Sequence, residues 1–454
     1  MSNKHKYYDV IIIGSGMSGL YSAYKIKKTS HDTSFLVLEK YKKQWVGGRT
    51  SNYDFYGVPV VTGAGIGRND TNPLLIKLLK ELKVPYKKII SQMDYSKLLH
   101  NQSEFDVVKV IDHLKREYNK NPSKYKHMTF KEFGTLILGD VNYKLFTIYA
   151  GYTDYENADV YETLYDYGMD DNKGGWTKLL IPWKELVEKL CEYIGNNHIK
   201  YSNNVTAVTK INGEHHDHDD HERRREPCLF EVSTEEGHIY YCNRVIVATT
   251  ITGIMKLVPG ASNPKSVYQQ IHGQPFLRLY AKFDRKSSEL LKKYVENYTI
   301  VPGPLQKIIP MNAEKGVYMI AYSDNENALV LKDHLKNTFE NRKLYEKLIE
   351  ESLGMHMGSL KIIAIKDFYW PVGTHYYGPL HGFKSREEFV EKAQHPMDGM
   401  LVVGEAVSTY QGWVEGALES VEAAVTKKWI KTSTPLFKKV VQKGLAQPFP
   451  KVES

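Results

Sequence analysis

Buried strands are predicted at both ends of the chain from the pattern of apolar positions. Residues 8–13 form a mostly apolar run without polar alternation, which predicts a strand buried on both faces of a parallel sheet. A helix follows over about residues 17–28, and a second buried strand over residues 35–38. Near the other end, residues 399–406 predict a strand that ends in a turn and an acid, and residues 411–424 predict a helix. These elements indicate an α/β fold.

The middle of the chain alternates helical and strand-like patterns. Leucines at helical spacing over residues 74–82 predict an amphipathic helix, and the apolar residues of 105–114 predict another. Residues 199–208 and 240–250 predict two further strands. The last third has strand-like runs and one long helix, at residues 276–283, 317–322, 336–353 (the helix) and 362–368. An antiparallel sheet with its own helices is therefore expected in this part of the chain.

A glycine motif, Gly14-Ser15-Gly16-Met17-Ser18-Gly19, joins the first strand to the first helix. Gly14 allows a tight turn, Gly16 lets a pyrophosphate approach the backbone, and Gly19 lets the helix pack close to the sheet. Glu39 ends the second strand, where a carboxylate can accept hydrogen bonds from ribose hydroxyls. The motif and its context predict dinucleotide binding, and a glycine-rich turn in an unrelated sheet is the alternative.

A second glycine pair, Gly47-Gly48, follows this acid and precedes Arg49 and Thr50. Such a loop adds a second phosphate clamp, because a guanidinium group can bond to phosphate bidentately. A surface arginine beside a loop is the alternative. Together with the first motif, this stretch resembles the flavoprotein amine oxidase superfamily, which includes monoamine oxidases, polyamine oxidases and L-amino acid oxidases. In that family the GGRT stretch contacts the pyrophosphate of FAD, so the resemblance implies FAD as the cofactor.

The resemblance implies further FAD contacts along the chain. A glycine-rich segment with Ala64, Gly65 and Ile66 is expected beneath the flavin ring, since glycines let a planar cofactor touch backbone. The backbone of Val205 is expected on the adenine. The complete set of expected cofactor-binding residues is Gly14, Ser15, Gly16, Ser18, Gly19, Glu39, Lys40, Gly47, Gly48, Arg49, Thr50, Ala64, Gly65, Ile66, Val205, Gly404, Glu405, Trp413 and Val414.

A C-terminal signature completes the resemblance. Gly404 and Glu405 correspond to a glycine–acid pair that meets the ribityl chain in the family. The predicted helix 411–424 is expected to point its N-terminus at the N1–C2=O edge of the flavin, where reduction places negative charge, with Val414 as the backbone donor. This helix has acidic residues in its first turn, and Lys427 and Lys428 are expected at its end.

The order of these segments implies a fold of the α/β class. It is expected to combine a Rossmann-like FAD-binding domain of the GR2 type with an inserted α+β substrate domain. The expected ranges are 1–70, 195–260 and 396–432 for the discontinuous FAD-binding domain, 71–194 and 261–395 for the substrate domain, and 433–454 for a C-terminal tail.

Aromatic side chains are expected to wall the substrate site. Trp413 corresponds to a wall of the aromatic cage of monoamine oxidases, where a tyrosine is usual, and Trp370 resembles the family's tryptophan upstream of the flavin. Tyr376 or Tyr377 is expected to form the opposite wall, and spacing alone leaves the choice open. Core packing is the alternative for each aromatic residue. With Arg278, the candidate catalytic residues are Trp370, Tyr377 and Trp413.

Two departures from the family pattern change the expected chemistry. The resemblance implies that the cysteine that attaches flavin covalently in the family would fall near Gly378-Pro379, where none occurs, so FAD is expected to bind non-covalently. Arg278 stands where many members carry a lysine that holds a water near the flavin. Arginine does not lose its proton in proteins, so Arg278 suits a substrate carboxylate or a fixed charge. Lys282, farther along the same strand face, and Arg68, as a partner for a carboxylate, are alternatives.

Composition limits which binding partners and which cellular compartment are expected. A formal net charge of +8 is spread over 454 residues without a concentrated basic stripe, so no nucleic-acid partner is expected. Three cysteines without metal or redox spacing suggest a reducing compartment, which favours the cytoplasm. The short basic N-terminus does not read as a secretory signal, and no apolar run long enough for a membrane anchor occurs.

A charged insert at residues 214–225 contains four histidines among acids and arginines. Because its spacing is irregular, a mobile solvated loop is expected and no metal site is predicted. A divalent-metal site is the alternative.

These observations predict an FAD-dependent oxidoreductase. It is expected to oxidise a small-molecule amine or amino acid by hydride transfer to flavin N5, with molecular oxygen as acceptor and an imine and hydrogen peroxide as products. The alternatives are a desaturase or protoporphyrinogen-oxidase-like enzyme acting on C–C bonds, and a non-redox flavin protein such as a sugar mutase. The oligomeric state is left open, with a homodimer as one option.

Overall fold

Two large sheets organise the chain in the computed structural model, which describes residues 6–100, 105–167, 170–211 and 229–431. One sheet is mostly parallel and the other mostly antiparallel, with helices on both, so the predicted α/β class is confirmed. The histidine-rich insert at residues 214–225 and the tail at 433–454 lie outside the described residues. The expected division into domains stays a prediction.

The first sheet contains the strands predicted on either side of the glycine motif. Residues Val10, Ile11 and Ile12 are completely buried, as a strand covered on both faces requires. The strand order is Val205–Ile211, Leu229–Thr234, Ile239–Val247, Lys6–Ile13, Phe35–Leu38 and Ile199–Lys200, with Met400–Val402 also paired to Ile239–Val247. The last four strands of this order run parallel to one another, as does Met400–Val402.

The single strand predicted over residues 199–208 is wrong, because the chain turns within it. Ile199–Lys200 pairs with Phe35–Leu38 at one edge of the sheet, and Val205–Ile211 lies at the opposite edge. Ser202 between them has a φ of 53°, a left-handed conformation that ends a strand. The chain therefore passes from one edge of the sheet to the other within the stretch predicted as one strand.

The second sheet carries the strand-like runs of the last third of the chain. Its order is Ile362–Tyr377, Ile271–Phe283, Val317–Asp324, Lys307–Asn312, Tyr298–Ile300 and Met93–Tyr95. All neighbours are antiparallel except the last pair. Two small sheets add Asn52–Phe55 with Val58–Val61, and Gly67–Arg68 and Lys87–Ile90 on either side of Thr177–Leu180.

Helices cover both sheets and form a layer of their own between residues 97 and 167. The α-helices are Met17–Thr29, Pro73–Glu81, Lys97–His100, Val107–Lys120, Pro122–Tyr125, Phe130–Ala150, Trp183–Ile194, Ile251–Leu257, Arg285–Leu291, Asn325–Leu331, Phe339–Leu353, Arg386–Gln394, Val414–Ala424 and Lys427–Lys431. Glu162–Tyr167 is a π-helix, and short 3₁₀ turns occur at Lys43–Trp45, Asp170–Lys173, Asn196–His198, Val267–Gln270, Lys332–His334 and Glu405–Val407. Among the described residues, no helix has both the length and the apolar character needed to cross a membrane.

The C-terminal helix is shorter than the sequence pattern predicts. It begins at Val414, because Gly412 has a φ of 78° and Trp413 is extended, and it ends at Ala424. Lys427 and Lys428 belong to the separate helix Lys427–Lys431, so the basic end expected for the first of these helices is wrong.

The first helix packs closely on the glycine turn that precedes it. A Cβ on Gly19 would lie 2.0 Å from the carbonyl oxygen of Gly14, so only glycine fits there without a shift of the backbone. The same helix contacts Trp183–Ile194 and Val414–Ala424 on its outer side. Gly19 thus lets the first helix lie close to the turn that precedes it.

We expect Gly19→Ala to lower the free energy of unfolding by about 1–3 kcal/mol, because the added methyl group forces strand and helix apart. Gly16→Ala is the matched control, since its Cβ would meet no atom within 4 Å and its φ is −69°. Urea denaturation of protein stripped of small molecules measures both variants. Equal stability of Gly19→Ala and the wild type would contradict the close packing.

Candidate cofactor and substrate site

One large cavity, of about 1560 Å³, is lined by residues from both large sheets. It exceeds the ~300–1,000 Å³ typical of small-molecule pockets, so it has room for a dinucleotide and a small substrate. The predicted site residues that line it are Gly14, Ser15, Gly16, Ser18, Glu39, Lys40, Gly47, Gly48, Arg49, Thr50, Ala64, Gly65, Ile66, Val205, Arg278, Trp370, Gly404, Glu405, Trp413 and Val414. Gly19 and Tyr377 are not among the lining residues.

The N-terminus of helix Met17–Thr29 faces this cavity without a capping side chain. The first N–H groups of a helix have no partner within it, and together with the helix dipole they favour an anion. Open space surrounds the position of a Cβ on Gly16, whereas one on Gly14 would lie 2.5 Å from the carbonyl oxygen of Ala248. Gly14 therefore shapes the turn, and Gly16 leaves its backbone accessible to a phosphate group.

Glu39 is held by the glycine motif itself. Its Oε2 accepts hydrogen bonds from the N–H of Ser15 at 2.8 Å and from the Ser15 hydroxyl at 2.7 Å. Its Oε1 accepts from the N–H of Tyr41 at 2.8 Å. A carboxylate has about four acceptor positions, so one remains for a ribose hydroxyl. Ser15 thus positions Glu39, a role that the sequence did not reveal.

Arg49 is partly committed to the protein. Its Nη1 donates to the carbonyl oxygen of Gly373 at 2.6 Å and to Oε1 of Glu405 at 3.0 Å. Neither Nε nor Nη2 makes a hydrogen bond to a described residue, and the side chain lines the cavity. The guanidinium therefore joins the N-terminal loop to the C-terminal motif and keeps two nitrogens for a ligand.

Glu405 is the meeting point of three segments. Its Oε1 also accepts from Nδ1 of His375 at 2.5 Å, and its Oε2 accepts from the N–H of Gly412 at 3.1 Å. Nε2 of His375 accepts from the N–H of Ile251 at 3.0 Å, which places the histidine proton on Nδ1. Burial alone raises the pKa of a carboxyl group, but His375, Arg49 and the Gly412 N–H lower the pKa of Glu405 to about 2.

A second uncapped helix N-terminus faces the same cavity. Helix Val414–Ala424 has no capping side chain, because its N-cap residue is Trp413, whose indole offers a donor but no acceptor. Glu415 lies in its first turn, but the carboxylate accepts from the N–H groups of Leu74 and Leu75 at 2.7 and 3.0 Å. Helices from opposite ends of the chain thus direct their positive ends into one cavity.

Two tryptophans stand at the cavity with their polar atoms anchored. Nε1 of Trp370 donates to the carbonyl oxygen of Thr62 at 2.7 Å, and Nε1 of Trp413 donates to Oδ1 of Asn72 at 3.0 Å. These bonds fix both rings, so they can serve as rigid walls.

Tyr377 does not line the cavity, contrary to the expectation from the sequence. It is completely buried, and its hydroxyl donates to the carbonyl oxygens of Ala406 and Ser408, both at 3.0 Å. Successive side chains of a strand point to opposite faces, so its neighbour Tyr376 reaches the cavity instead. Sequence spacing left this choice open, and the direction of the strand decides it.

The second sheet contributes a cation and two aromatic rings to the cavity lining. Arg278 is 5% exposed, and its guanidinium carbon lies 3.2 Å from the centroid of the Tyr322 ring and 4.8 Å from that of Phe276. Lys282 lies outside the cavity lining, with its Nζ bonded to the carbonyl oxygen of Lys315. Arg278 is therefore the basic residue that this strand presents to the site.

Arg68 also lines the cavity, but it already has a carboxylate partner. It forms an ion pair with Asp171, and its guanidinium lies 5.1 Å from the centroid of the Trp176 ring. The hydroxyl of Tyr152 donates to the other oxygen of Asp171 at 2.9 Å. A substrate carboxylate would have to displace Asp171 to reach Arg68.

No sequence motif indicates several of the residues that lie near the site. His375, Asp154, Asp171 and Lys307 lie on four separate segments without a shared motif. Burial and the nearby Asp324 raise the pKa of Asp154, against a hydrogen bond from Tyr167. Only Lys307 among them has a sequence feature that could have indicated a buried polar residue. It lies directly before the apolar pair Ile308-Ile309 at the start of a strand.

Comparison with known proteins places this geometry in context. A family model described as an NAD(P)-binding Rossmann-like domain matches residues 12–82. A search of curated proteins finds no match. Among solved structures, putrescine oxidase bound to putrescine is 14% identical, with 92% of this chain and 98% of that chain covered at a TM-score of 0.69.

Two further solved structures are similar to this chain over most of its length. A double mutant of putrescine oxidase is 15% identical over 94% of this chain and 100% of that chain, at a TM-score of 0.70. Cyclohexylamine oxidase from Brevibacterium oxydans IH-35A is 13% identical over 93% of this chain and 98% of that chain, at a TM-score of 0.69. The chain has the fold of these amine oxidases. The fold spans nearly the whole chain, including the inserted sheet, so the family model's match to residues 12–82 marks only the start of the amine oxidase fold.

The Glu405 network predicts a specific acid dependence of stability. Since the folded-state pKa of about 2 lies below the ordinary 4.5, the contribution of the carboxylate is complete above about pH 4.5 and is lost as the pH falls towards 2. We expect Glu405→Gln to reduce the free energy of unfolding at pH 7 by about 3 kcal/mol, and the gap to the wild type to narrow below pH 4.5.

Urea denaturation at a series of pH values measures this gap. Glu192→Gln is the control, because the Glu192 side chain is 72% exposed and should leave the acid dependence unchanged. A gap between Glu405→Gln and the wild type that is as large at pH 3 as at pH 7 would rule out the proposed network.

Proposed function

We propose that the protein is an FAD-dependent oxidoreductase that oxidises a small amine or amino acid. The observation that carries this proposal is the pair of uncapped helix N-termini, from residues 17 and 414, that face one cavity with the open backbone of Gly16. Two positive helix ends suit the two anionic parts of FAD, which are the pyrophosphate and the reduced flavin edge. The amine oxidase fold supports the same proposal.

The residues fit FAD in a definite order along the cavity. Gly16 and the start of the first helix would hold the pyrophosphate, and Glu39 would accept from the adenosine ribose. The free nitrogens of Arg49 would face the phosphates from the other side. The start of the helix at Val414 would stabilise the flavin edge, and Glu405 would fix the Gly412 turn that leads into it.

Bound FAD would supply the chemistry, by accepting a hydride from the carbon next to the amine nitrogen. The protein positions that carbon and excludes water. Trp370 and Trp413 hold their rings by hydrogen bonds to Thr62 and Asn72, so an amine between such walls keeps one orientation. A low-dielectric slot also favours the neutral amine, whose lone pair is needed for oxidation.

Non-covalent binding of FAD is part of the proposal. The segment near Gly378-Pro379 lacks a cysteine. Cys191 and Cys242 are buried free thiols, and neither lines the cavity. Free thiols also suit a reducing compartment, which supports a cytoplasmic location.

We further propose the division of labour between the two sheets that the sequence suggests. Residues 1–70, 195–260 and 396–432 would form the cofactor domain, and 71–194 with 261–395 the substrate domain. The described strands of the first sheet all lie within the former ranges, which supports this division.

We expect Gly16→Ala to bind FAD at least about tenfold more weakly than the wild type, because its methyl group occupies the space where the pyrophosphate meets the backbone. Asp32→Ala, in the exposed turn after the first helix, should bind FAD normally. Titration of the stripped proteins, followed by flavin fluorescence, gives both dissociation constants.

Acid precipitation of the FAD-loaded protein completes this test. We expect all flavin in the supernatant, since no bond to a cysteine forms. Flavin that stays with the precipitate would refute non-covalent binding, and equal affinities of Gly16→Ala and the wild type would refute the phosphate position.

We expect a primary or secondary amine, or an L-amino acid, to bleach the flavin absorbance of the FAD-loaded protein without oxygen. Readmitted oxygen should restore the absorbance and form peroxide if oxygen is the acceptor. A stopped-flow screen with monoamines, polyamines and L-amino acids measures the rate constant of reduction. Trp370→Ala should slow it about tenfold or more with FAD retained, because the orienting wall is lost.

Trp45→Ala is the control for this screen, because Trp45 is exposed and lies outside the cavity lining. Flavin that no amine reduces, although dithionite does, would exclude amine oxidation and favour the C–C-oxidising or non-redox alternatives.

A further inference from the structure

Arg278 is a buried cation without an anionic partner. The residue lines the cavity and is 5% exposed, and its Nε and Nη1 make no hydrogen bond. Within the described residues, no carboxylate lies within ion-pair distance of it. A buried charge without a partner is costly, so a protein that keeps one has a use for it.

Aromatic rings surround Arg278 but do not satisfy its donors. The guanidinium carbon lies 3.2 Å from the centroid of the Tyr322 ring and 4.8 Å from that of Phe276. A cation–π contact gives the N–H groups no lone-pair acceptor. The N–H groups of Arg278 therefore stay available to a ligand.

Acidic residues of this region have donors other than Arg278. Asp171 accepts from Arg68 and Tyr152, and Asp154 accepts from the hydroxyl of Tyr167. Asp324 accepts from the N–H and hydroxyl of Thr153 and from Nε2 of Gln306 at 3.0 Å. Among the described residues, none of these carboxylates forms an ion pair with Arg278.

Lys307 adds a second unpartnered donor behind the same ring. Its Nζ lies 4.3 Å from the centroid of Tyr322 and makes no hydrogen bond, and the residue is completely buried. Burial lowers the pKa of Lys307 well below its usual range, against the pull of Asp324, Asp171 and Asp154. Arg278 lines the cavity and Lys307 does not, so Arg278 is the unpartnered donor that an anionic ligand can reach.

We propose that Arg278 binds the carboxylate of the substrate, so that the amine oxidised is an amino acid rather than a simple amine or polyamine. This inference rests on the proposed function of the cavity. A carboxylate is planar and matches the planar guanidinium edge with two parallel hydrogen bonds. A polyamine would instead place a second cation against Arg278, which like charges disfavour.

Binding of butyrate and butylamine to the FAD-loaded full-length protein tests this assignment without turnover. The two probes have the same carbon chain and differ in the charged end. The flavin absorbance spectrum and the melting temperature report binding. We expect butyrate to bind the wild type, and Arg278→Met to weaken butyrate binding about 30-fold or more with little change for butylamine.

Lys282→Met is the matched control, because Lys282 lies on the same strand outside the cavity lining. It should bind butyrate as the wild type does. If Arg278→Met loses FAD, Arg278→Lys carries the test, because it keeps the charge but loses the planar fork, and it should weaken butyrate binding several-fold. Butyrate that fails to bind the wild type, or that binds every Arg278 variant equally well, would overturn the proposal.

The same samples separate this inference from the proposed function. Flavin that no amine or amino acid reduces, together with Arg278-dependent butyrate binding, would reject the oxidation but keep the carboxylate site. Flavin that simple amines reduce quickly, with butyrate binding independent of Arg278, would keep the oxidation and reject the carboxylate site.

Discussion

The buried carboxylate of Glu405 is the constraint on which the site depends. A desolvated carboxylate needs several donors, and Glu405 takes them from the N-terminal loop, the inserted sheet and the turn before the C-terminal helix. Each donor is itself fixed, since Arg49 also binds Gly373 and His375 also binds Ile251. Segments more than 300 residues apart along the chain are therefore held in one arrangement by one side chain.

This arrangement sets the charge pattern of the cavity. Two helix N-termini and the free nitrogens of Arg49 make the cofactor end attractive to anionic groups. In the lining from the second sheet, Arg278 contacts the Tyr322 ring and has no carboxylate partner among the described residues, whereas Arg68 is neutralised by Asp171. One cation of the cavity is thus neutralised by an acid, and another stays available to a ligand. This charge pattern discriminates between ligands more strongly than a uniformly positive pocket would.

Much of the cofactor end was predictable because its signals are local. The glycine motif, Glu39 and the Gly47–Thr50 loop lie within a short stretch of the chain. Their spacing alone predicts that a turn, an acidic side chain and a second loop lie at one edge of the sheet. The fold class followed from the alternation of strands and helices. The boundaries were less accurate, as the turn at Ser202 and the late start of the helix at Val414 illustrate.

The substrate end was less predictable because it is assembled from distant strands. Whether Tyr376 or Tyr377 reaches the cavity depends on the pleat of one long strand. His375 and Lys307 carry no motif, and their importance appears only when their neighbours in space are known. The strand position of Arg278 could be inferred from the family pattern, but its lack of an anionic partner could not.

A crystal structure of the protein grown with FAD tests the central claim most directly. We expect one FAD molecule in the cavity, with its adenosine ribose at Glu39, its pyrophosphate at Gly16 and its flavin at the start of the helix at Val414. An empty cavity at saturating FAD, or a nucleotide bound with Glu39 and Val414 at unrelated surfaces, would contradict it.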